Sequence, residues 1–544
     1  KGIGEIFGNE SLTGFLGKGY DMAVGARYRP LSLATFAVEH QIFGVRPGMS
    51  HFINILLYAL TALLIYRLLS MLTPGNPGRP WYLSVPFIAA LLFALHPIHT
   101  EVVANIKGRD EILAMLLSLG AAYYVLRSVR EDNAWRSWVA GLLLLLATLA
   151  KENAITFLAV VPLLLWAFQK SDPRTIARQM MPLGIATVVY LMIRWSALGF
   201  LLDGGQEITN LLNNPFVEAT GTQKSATISL TMAWYLKLLG VPHPLTHDYY
   251  PYHVPLVGWG DWRAIAGVVS HLALIGLAVW TWRKDRVISF AIFYYFLTMA
   301  VFANIFFPLS LFMNERFLYM PSLAFCLAVA WLLAEKLPTW LAGHAQAARG
   351  IALSVIALLG IGYGLRTVTR VPDWADDYTL HAASIEVSPE SAFSNQNYGH
   401  QLYLLADKSQ DLTERKKLLD EALPHVEKAL QIFPEYHDAL GTKTGIMVGY
   451  FQLDNRIEPL LTWFTTVQKT HPLDYVDTVL KDLIAFGQHR VELNYFLQNV
   501  GYNYFWVAQG DKTRASLYLQ MLKSIDPDNP NVDRAISNIA QGIR

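Results

Sequence analysis

Apolar segments of membrane-spanning length recur through the first two thirds of this 544-residue chain, and charged words sit at their ends. The segments occupy roughly 50–71, 83–97, 111–127, 137–150, 154–169, 179–199, 264–282, 287–307, 317–334 and 350–365. A straight crossing takes ~20 apolar residues, so several are short and their limits are soft. Charged residues make up only 16% of the chain, hydrophobic residues 53%, and mean hydropathy is +0.30, as in a polytopic membrane protein. The formal net charge of +1 gives no global attraction to nucleic acid. The single cysteine, Cys326, excludes an intrachain disulfide and reads as a small core residue.

Four charged words stand out: His96-Pro97-Ile98-His99-Thr100-Glu101, Gly108-Arg109-Asp110, Lys151-Glu152-Asn153 and Asn314-Glu315-Arg316. Ionisable groups beside a span are costly and usually mark a site. If the spans alternate in direction, all four words fall on one face, and the soluble C-terminal third falls there too. The alternate loops carry mostly unpaired cations, including Arg79, Arg127, Arg130, Arg136, Lys170, Arg174, Arg178, Arg283, Lys284 and Arg286. That bias marks the cytoplasm, so the four words are expected on the extracytoplasmic face. The apolar stretch 225–241 spoils this parity as a full crossing and is therefore read as re-entrant. The chain opens on Lys1 with no hydrophobic leader, and a first span is expected upstream.

Residues 1–370 form the expected membrane domain and 371–544 a soluble helical one. Ala422, Val426, Ala429, Pro434 and Ala515, Leu519, Leu522, Pro527 share one spacing. It is the second-helix pattern of a tetratricopeptide repeat, with small residues where helices touch and Pro after the stop. The stretch 385–544 is read as an α-solenoid, an architecture that commonly binds peptides or proteins.

Each word supports two readings. His99 and Glu101 point into the interface, either to orient an anionic head group or to cap a buried helix start. Two His and one Glu at this spacing do not form a zinc motif. In Arg109-Asp110 and Lys151-Glu152 the opposite charges either tie loops together or leave Arg and Lys to hold a phosphate. Arg27 and Arg29, flanking Tyr28, either bind phosphate or anchor the loop. The Pro-, His- and Tyr-rich run around His247 and Asp248 reads as a sugar-binding lip or an interfacial aromatic belt. No nucleotide-binding fingerprint is present, so an energy-rich donor has to come from the lipid phase.

At these residues the chain resembles the transmembrane and tetratricopeptide-repeat O-mannosyltransferases, of the GT-C glycosyltransferase fold. The matching words are Tyr28-Arg29-Pro30-Leu31, the four charged words, Ile193-Arg194, Asn214-Pro215-Phe216, and Tyr319-Met320-Pro321-Ser322 after Glu315-Arg316. The resemblance implies an all-α protein, a GT-C-type membrane bundle followed by a tetratricopeptide-repeat-like solenoid. It implies an inverting transfer of mannose from a polyprenyl-phosphate carrier to Ser or Thr hydroxyls of proteins. Arg29, Arg109, Lys151, Arg194, Glu315, Arg316 and Tyr319 are then the expected donor-phosphate residues. His99, Glu101, Asp110 and Glu152 are supporting catalytic groups, and Asn214, His247 and Asp248 form the sugar or acceptor lip. No cofactor or metal site is expected, although a divalent ion is left open. The expected partners are the lipid-linked sugar, membrane lipid and an acceptor protein held by the repeats. In the family the general base belongs to an acidic pair after the first span. Glu5, Glu10 and Asp21 do not match it, so the base is expected upstream of Lys1. Two other functions fit the residues: a same-fold transferase acting on a lipid or glycan, and a non-catalytic membrane scaffold that binds partners through its repeats.

Overall fold

A computed structural model of the chain describes residues 3–8, 27–73, 79–201, 210–306 and 308–543. Glu10 and Asp21 lie outside them; Glu5 is exposed on the short helix Ile3–Phe7. The described residues are helical, with no strand among them. They form two compact units, Lys1–Leu380 and His381–Arg544.

In the first unit, seven described helices are long and apolar enough to cross a membrane: Pro47–Leu72, Ile106–Arg130, Glu152–Gln169, Pro173–Leu198, Trp262–Thr281, Ser322–Trp340 and Ala345–Trp374. This is an integral, multi-pass membrane protein. The expected span at 83–97 is the first half of a pair, Val85–Leu95 and Pro97–Ala104, bent by 51°. Pro97 causes the break, because it has no N–H to give the preceding turn. His96 caps the restart by accepting from the Ile98 amide. Of two other expected spans, the one at 137–150 is borne out and the one at 287–307 is shorter than predicted. Trp135–Ala150 has 16 residues and Arg286–Met299 has 14. The latter does not reach 307, because the chain turns at Asn304, whose φ is +57°. The Asn304 amide bonds the carbonyls of Leu311 and Phe312 and accepts from the Leu309 amide, so one side chain organises the whole turn.

The stretch expected to be re-entrant is one unbroken helix, Gly221–Gly240, opened by a capping box between Thr220 and Gln223. It has no reversal, yet it keeps the expected parity. Its last carbonyls, Leu239 and Gly240, accept from His96 and Tyr363. Toward its start, Ser225 accepts from Trp259 and Ser229 donates to Ala264, at the beginning of Trp262–Thr281. That span runs to the opposite end of the bundle, where Arg286 donates to the Trp166 carbonyl. Both ends of Gly221–Gly240 are thus tied at the end of the bundle that carries the charged words. Gly267 permits the close crossing, since a Cβ there would lie 2.0 Å from the Ser229 carbonyl oxygen.

The core of this unit is a continuous cluster that includes Ile65, Ile88, Phe93, Met115, Val125, Phe157, Tyr235 and Leu327, with Cys326 inside it.

The second unit packs helices Ala392–Lys408, Leu412–Ile432, His437–Asp454, Ile457–Thr470, Asp474–Phe486, Arg490–Leu497, Lys512–Ile525 and Pro530–Gln541. Gln498–Gln509 continues Arg490–Leu497 as wide π-type turns. Ala422, Val426 and Ala429 are fully buried, as are Ala515, Leu519 and Leu522 to within 2%. Both copies of the sequence spacing therefore lie on buried helix faces.

Candidate functional site

The four charged words meet at one end of the first unit, and their charges pair between words rather than within them. Arg29 grips Glu152 with Nε at 3.0 Å and Nη2 at 2.5 Å, and its Nη1 lies 2.6 Å from Asp110. Lys151 turns away from its neighbour Glu152 and pairs with Glu111, while Asp110 is 3.8 Å away. Asn153 donates to the other Glu111 oxygen at 3.1 Å. Burial works against the Arg29 charge, but Glu152 and Asp110 beside it outweigh burial and raise its pKa. Three carboxylates and two cations thus interlock three segments of chain.

Arg109 leaves this cluster. Its fully buried guanidinium pairs with Glu39 at 2.6 Å, donates to Asn54 at 2.9 Å and to the Ser50 carbonyl at 3.2 Å, and lies over the Phe36 ring. It is saturated by the helices Pro30–Phe43 and Pro47–Leu72. The turn before it is equally fixed. A Cβ at Gly108 would stand 2.1 Å from the Val102 carbonyl oxygen, so this close approach requires glycine.

The second cluster joins the first and last words. Glu101 holds Arg316 twice, by Nη1 at 2.6 Å and by the backbone amide at 3.3 Å. The Arg316 side chain remains 31% exposed. Burial opposes its charge, but Glu101 raises its pKa overall. Glu315 points the other way and is fully buried. One of its oxygens accepts from the Thr246 amide at 2.5 Å and the Tyr249 hydroxyl at 3.0 Å; the other faces Arg370 at 3.3 Å. Burial pushes its pKa up to about 7.

His99 lies within the bundle rather than at an open surface. Its ring nitrogens contact the Tyr58 and Ser322 hydroxyls, each at 2.8 Å, and its ring packs against Phe93 and Tyr319. Tyr319 is buried beside it. Asn214 caps the turn at Phe216, and Asp248 is buried and caps Tyr250. The carbonyl of His247 accepts from Asn314. Arg194 is mostly buried near the end of Pro173–Leu198 and donates to the Leu201 carbonyl at 3.0 Å.

Among the cations at this end, Arg27 and Lys107 have no carboxylate within ion-pair distance among the described residues. Arg27 is half-buried; burial, then the Arg29 and Arg316 charges, lower its pKa. Lys107 is exposed and lies in the field of Arg27, Arg29, Asp110 and Arg316. Arg27 belongs to a word the sequence singles out. Lys107 has only its adjacency to Gly108-Arg109-Asp110 as a signal. Arg27, Lys107 and partly open Arg316 therefore lie within one another's field. Such an arrangement suits an anion. No cluster of three or more metal-ligating side chains occurs among the described residues.

A family model described as dolichyl-phosphate-mannose-protein mannosyltransferase matches residues 30–197. Among curated relatives, Protein O-mannosyl-transferase Tmtc3 of Drosophila melanogaster is 26% identical, covering 74% of this chain and 48% of the fly protein. Protein O-mannosyl-transferase TMTC3 of Homo sapiens is 26% identical, covering 75% of this chain and 45% of the human protein. Protein O-mannosyl-transferase TMTC1 of Homo sapiens is 27% identical, covering 80% and 51%. The chain spans about half the length of the curated relatives it matches. No solved structure matches.

Proposed function

We propose that this chain belongs with the transmembrane and tetratricopeptide-repeat O-mannosyltransferases it resembles, and that it moves mannose from a polyprenyl-phosphate carrier to Ser or Thr hydroxyls of proteins, on the extracytoplasmic face. The observation that carries this reading is the grouping of Arg27, Lys107 and partly open Arg316 within one another's field, at the end of the unit where the charged words converge. A lipid-linked donor brings its phosphate to that boundary while its chain stays in the bilayer.

In this reaction the acceptor oxygen bonds the anomeric carbon from the face opposite the carrier. The bond from that carbon to the phosphate oxygen breaks, and the configuration inverts. The departing lipid phosphate gains charge, which Arg27, Lys107 and Arg316 stabilise. The hydroxyl proton goes to a general base that the family resemblance places in the first external loop, ahead of Tyr28. Arg29 and Lys151, each paired with carboxylates, hold the Asp110-Glu111 helix start and the Lys151-Glu152 turn in register. Arg109, saturated by Glu39 and Asn54, supports the same end from within the bundle. The run Thr246–Tyr250 forms the lip over the sugar, fixed from below by Glu315.

The test is mannose transfer from a polyprenyl-phosphate-mannose to a Ser/Thr peptide by the purified chain in lipid nanodiscs. A charge-assisted hydrogen bond contributes about 1.5–3 kcal/mol, so Arg27→Gln or Lys107→Gln slows turnover roughly tenfold to a hundredfold. Wild-type turnover in the double variant overturns the phosphate assignment. The C-terminal unit is proposed to recruit acceptor protein. Truncation after Leu380 then abolishes modification of a full-length acceptor while a short peptide is modified as before. Equal modification of the full-length acceptor with and without the unit removes that role.

A further inference from the structure

Arg370 is an ionisable residue at the end of the last apolar helix, in no word that the sequence singles out, and only 3% exposed. Its guanidinium joins three separate segments. Nη1 donates to the Leu245 carbonyl at 2.9 Å and lies 3.5 Å from Asp373; Nη2 lies 3.3 Å from Glu315. Glu315 in turn binds the Thr246 amide and the Tyr249 hydroxyl. Both ends of this link therefore grip the same loop, at Leu245 and at Thr246 to Tyr249. The loop has no helix or strand of its own between Gly240 and Trp262, so side chains beneath it have to fix its path.

The same link sets the direction of Arg316. Consecutive residues of the Glu315–Leu318 turn point to different sides, so anchoring the Glu315 carboxylate inward turns the Arg316 side chain outward. There it meets Glu101 and the open region beside Arg27. Asn314 reinforces the arrangement: its side-chain oxygen accepts from the Arg316 amide, and its amide nitrogen donates to the His247 carbonyl.

We infer that Arg370 is a positioning residue, which through Glu315 fixes the lip Leu245–Tyr250 and presents Arg316 to the donor phosphate. The inference rests on the proposed transfer reaction for its second half and is independent of it for the first. Arg370 touches neither donor nor acceptor. Its charge matters because a buried carboxylate left without its cation costs far more than the pair contributes.

The experiment is hydrogen–deuterium exchange at the amides of residues 245–250, with mannose transfer measured in parallel, on the full chain in nanodiscs at pH 8. Arg370→Gln raises exchange in this segment at least tenfold, while exchange in Trp262–Thr281 stays as in wild type. Arg370→Lys keeps the charge and returns exchange to within a few-fold of wild type. Transfer by Arg370→Gln falls at least tenfold, with a raised KM for the donor, and Arg370→Lys restores most of it. Unchanged lip exchange in Arg370→Gln overturns the positioning role, whether or not the chain is a transferase. So does equal loss in the Gln and Lys variants, since a packing role alone treats both as lost bulk. Should Arg370→Gln fail to fold, Glu315→Gln provides the second variant, and it loosens the same six residues. A loosened lip in a protein whose wild type transfers nothing leaves the positioning role standing and removes the transferase reading.

Discussion

In the first unit two ion pairs at the charged end are sealed from solvent. The side chains of Arg109 and Glu39 are 1% and 7% exposed, and those of Lys151 and Glu111 are 3% and 1%. In the second unit Lys416 and Asp420, one helical turn apart, are 62% and 49% exposed. The chemical partners are alike, but the solvent differs. Water screens the exposed pair to about 0–1 kcal/mol. A sealed pair is weak evidence of net stability, but removing one partner strands a charge in a poorly solvating interior. The first unit thus uses charge to enforce geometry. The second uses a buried face of small and branched residues, with most charge left at the rim.

Arg109→Met puts this contrast under its greatest load. It strands Glu39 and is expected to cost about 3–5 kcal/mol, read as a large fall in the denaturation midpoint in detergent. A cost below 1 kcal/mol erases the distinction between the units. The double variant Arg109→Met/Glu39→Met is expected to recover most of the loss.

Gly108→Ala tests whether the charged end is also geometrically rigid. The added Cβ meets a backbone carbonyl rather than a flexible side chain. About 1–3 kcal/mol of destabilisation is expected, as in overpacked cores. Unchanged melting shows that the turn at 105–109 yields freely.

Glu315 sharpens the contrast through pH. Its folded pKa of about 7 lies above the ordinary value of 4.5. The folded state therefore holds this proton longer than the unfolded state. The contribution is complete below about 4.5 and is lost as pH rises to about 7. The groups facing Glu315 are Arg370, Thr246, Tyr249 and, through space, Glu101. Unfolding free energy of wild type, minus that of Glu315→Gln, is expected to fall across this window and flatten above it. A flat difference from pH 4.5 to 7 contradicts the assignment.

The smallest effect belongs to the second unit. Lys416→Ala is expected to shift stability by less than about 0.5 kcal/mol, and the shift is expected to vanish in high salt. A loss above 2 kcal/mol there means that exposure is a poor guide to the worth of a pair in this molecule.

Much of the architecture was legible because it is periodic or local. Apolar runs located the spanning helices, and the 422–434 and 515–527 spacings located two buried helix faces. The errors fell where a distant partner or a turn decides. Residues 300–307 are as apolar as a helix end, but the turn organised by Asn304 ends the helix before them. The stretch 225–241 carries no signal for lying along one end of the bundle; its contacts with Ala264, His96 and Tyr363 come from three other segments.

By itself the sequence determined which residues carry charge into an apolar chain, and that these words share one end. Parity and the high cost of charge in lipid suffice for that. Only the tertiary structure decided who pairs with whom. Neighbouring residues on a helix or turn point to different sides, so Arg109 and Asp110, side by side in the chain, take partners in different places. Asp110 meets Arg29 and Arg109 meets Glu39, more than 65 residues away in each case along the chain. The same geometry leaves Arg27 and Lys107 without a carboxylate at ion-pair distance among the described residues and buries Arg370 beneath the lip. Charge balance within a site is a sum over neighbours in space, and a linear chain does not state its neighbours.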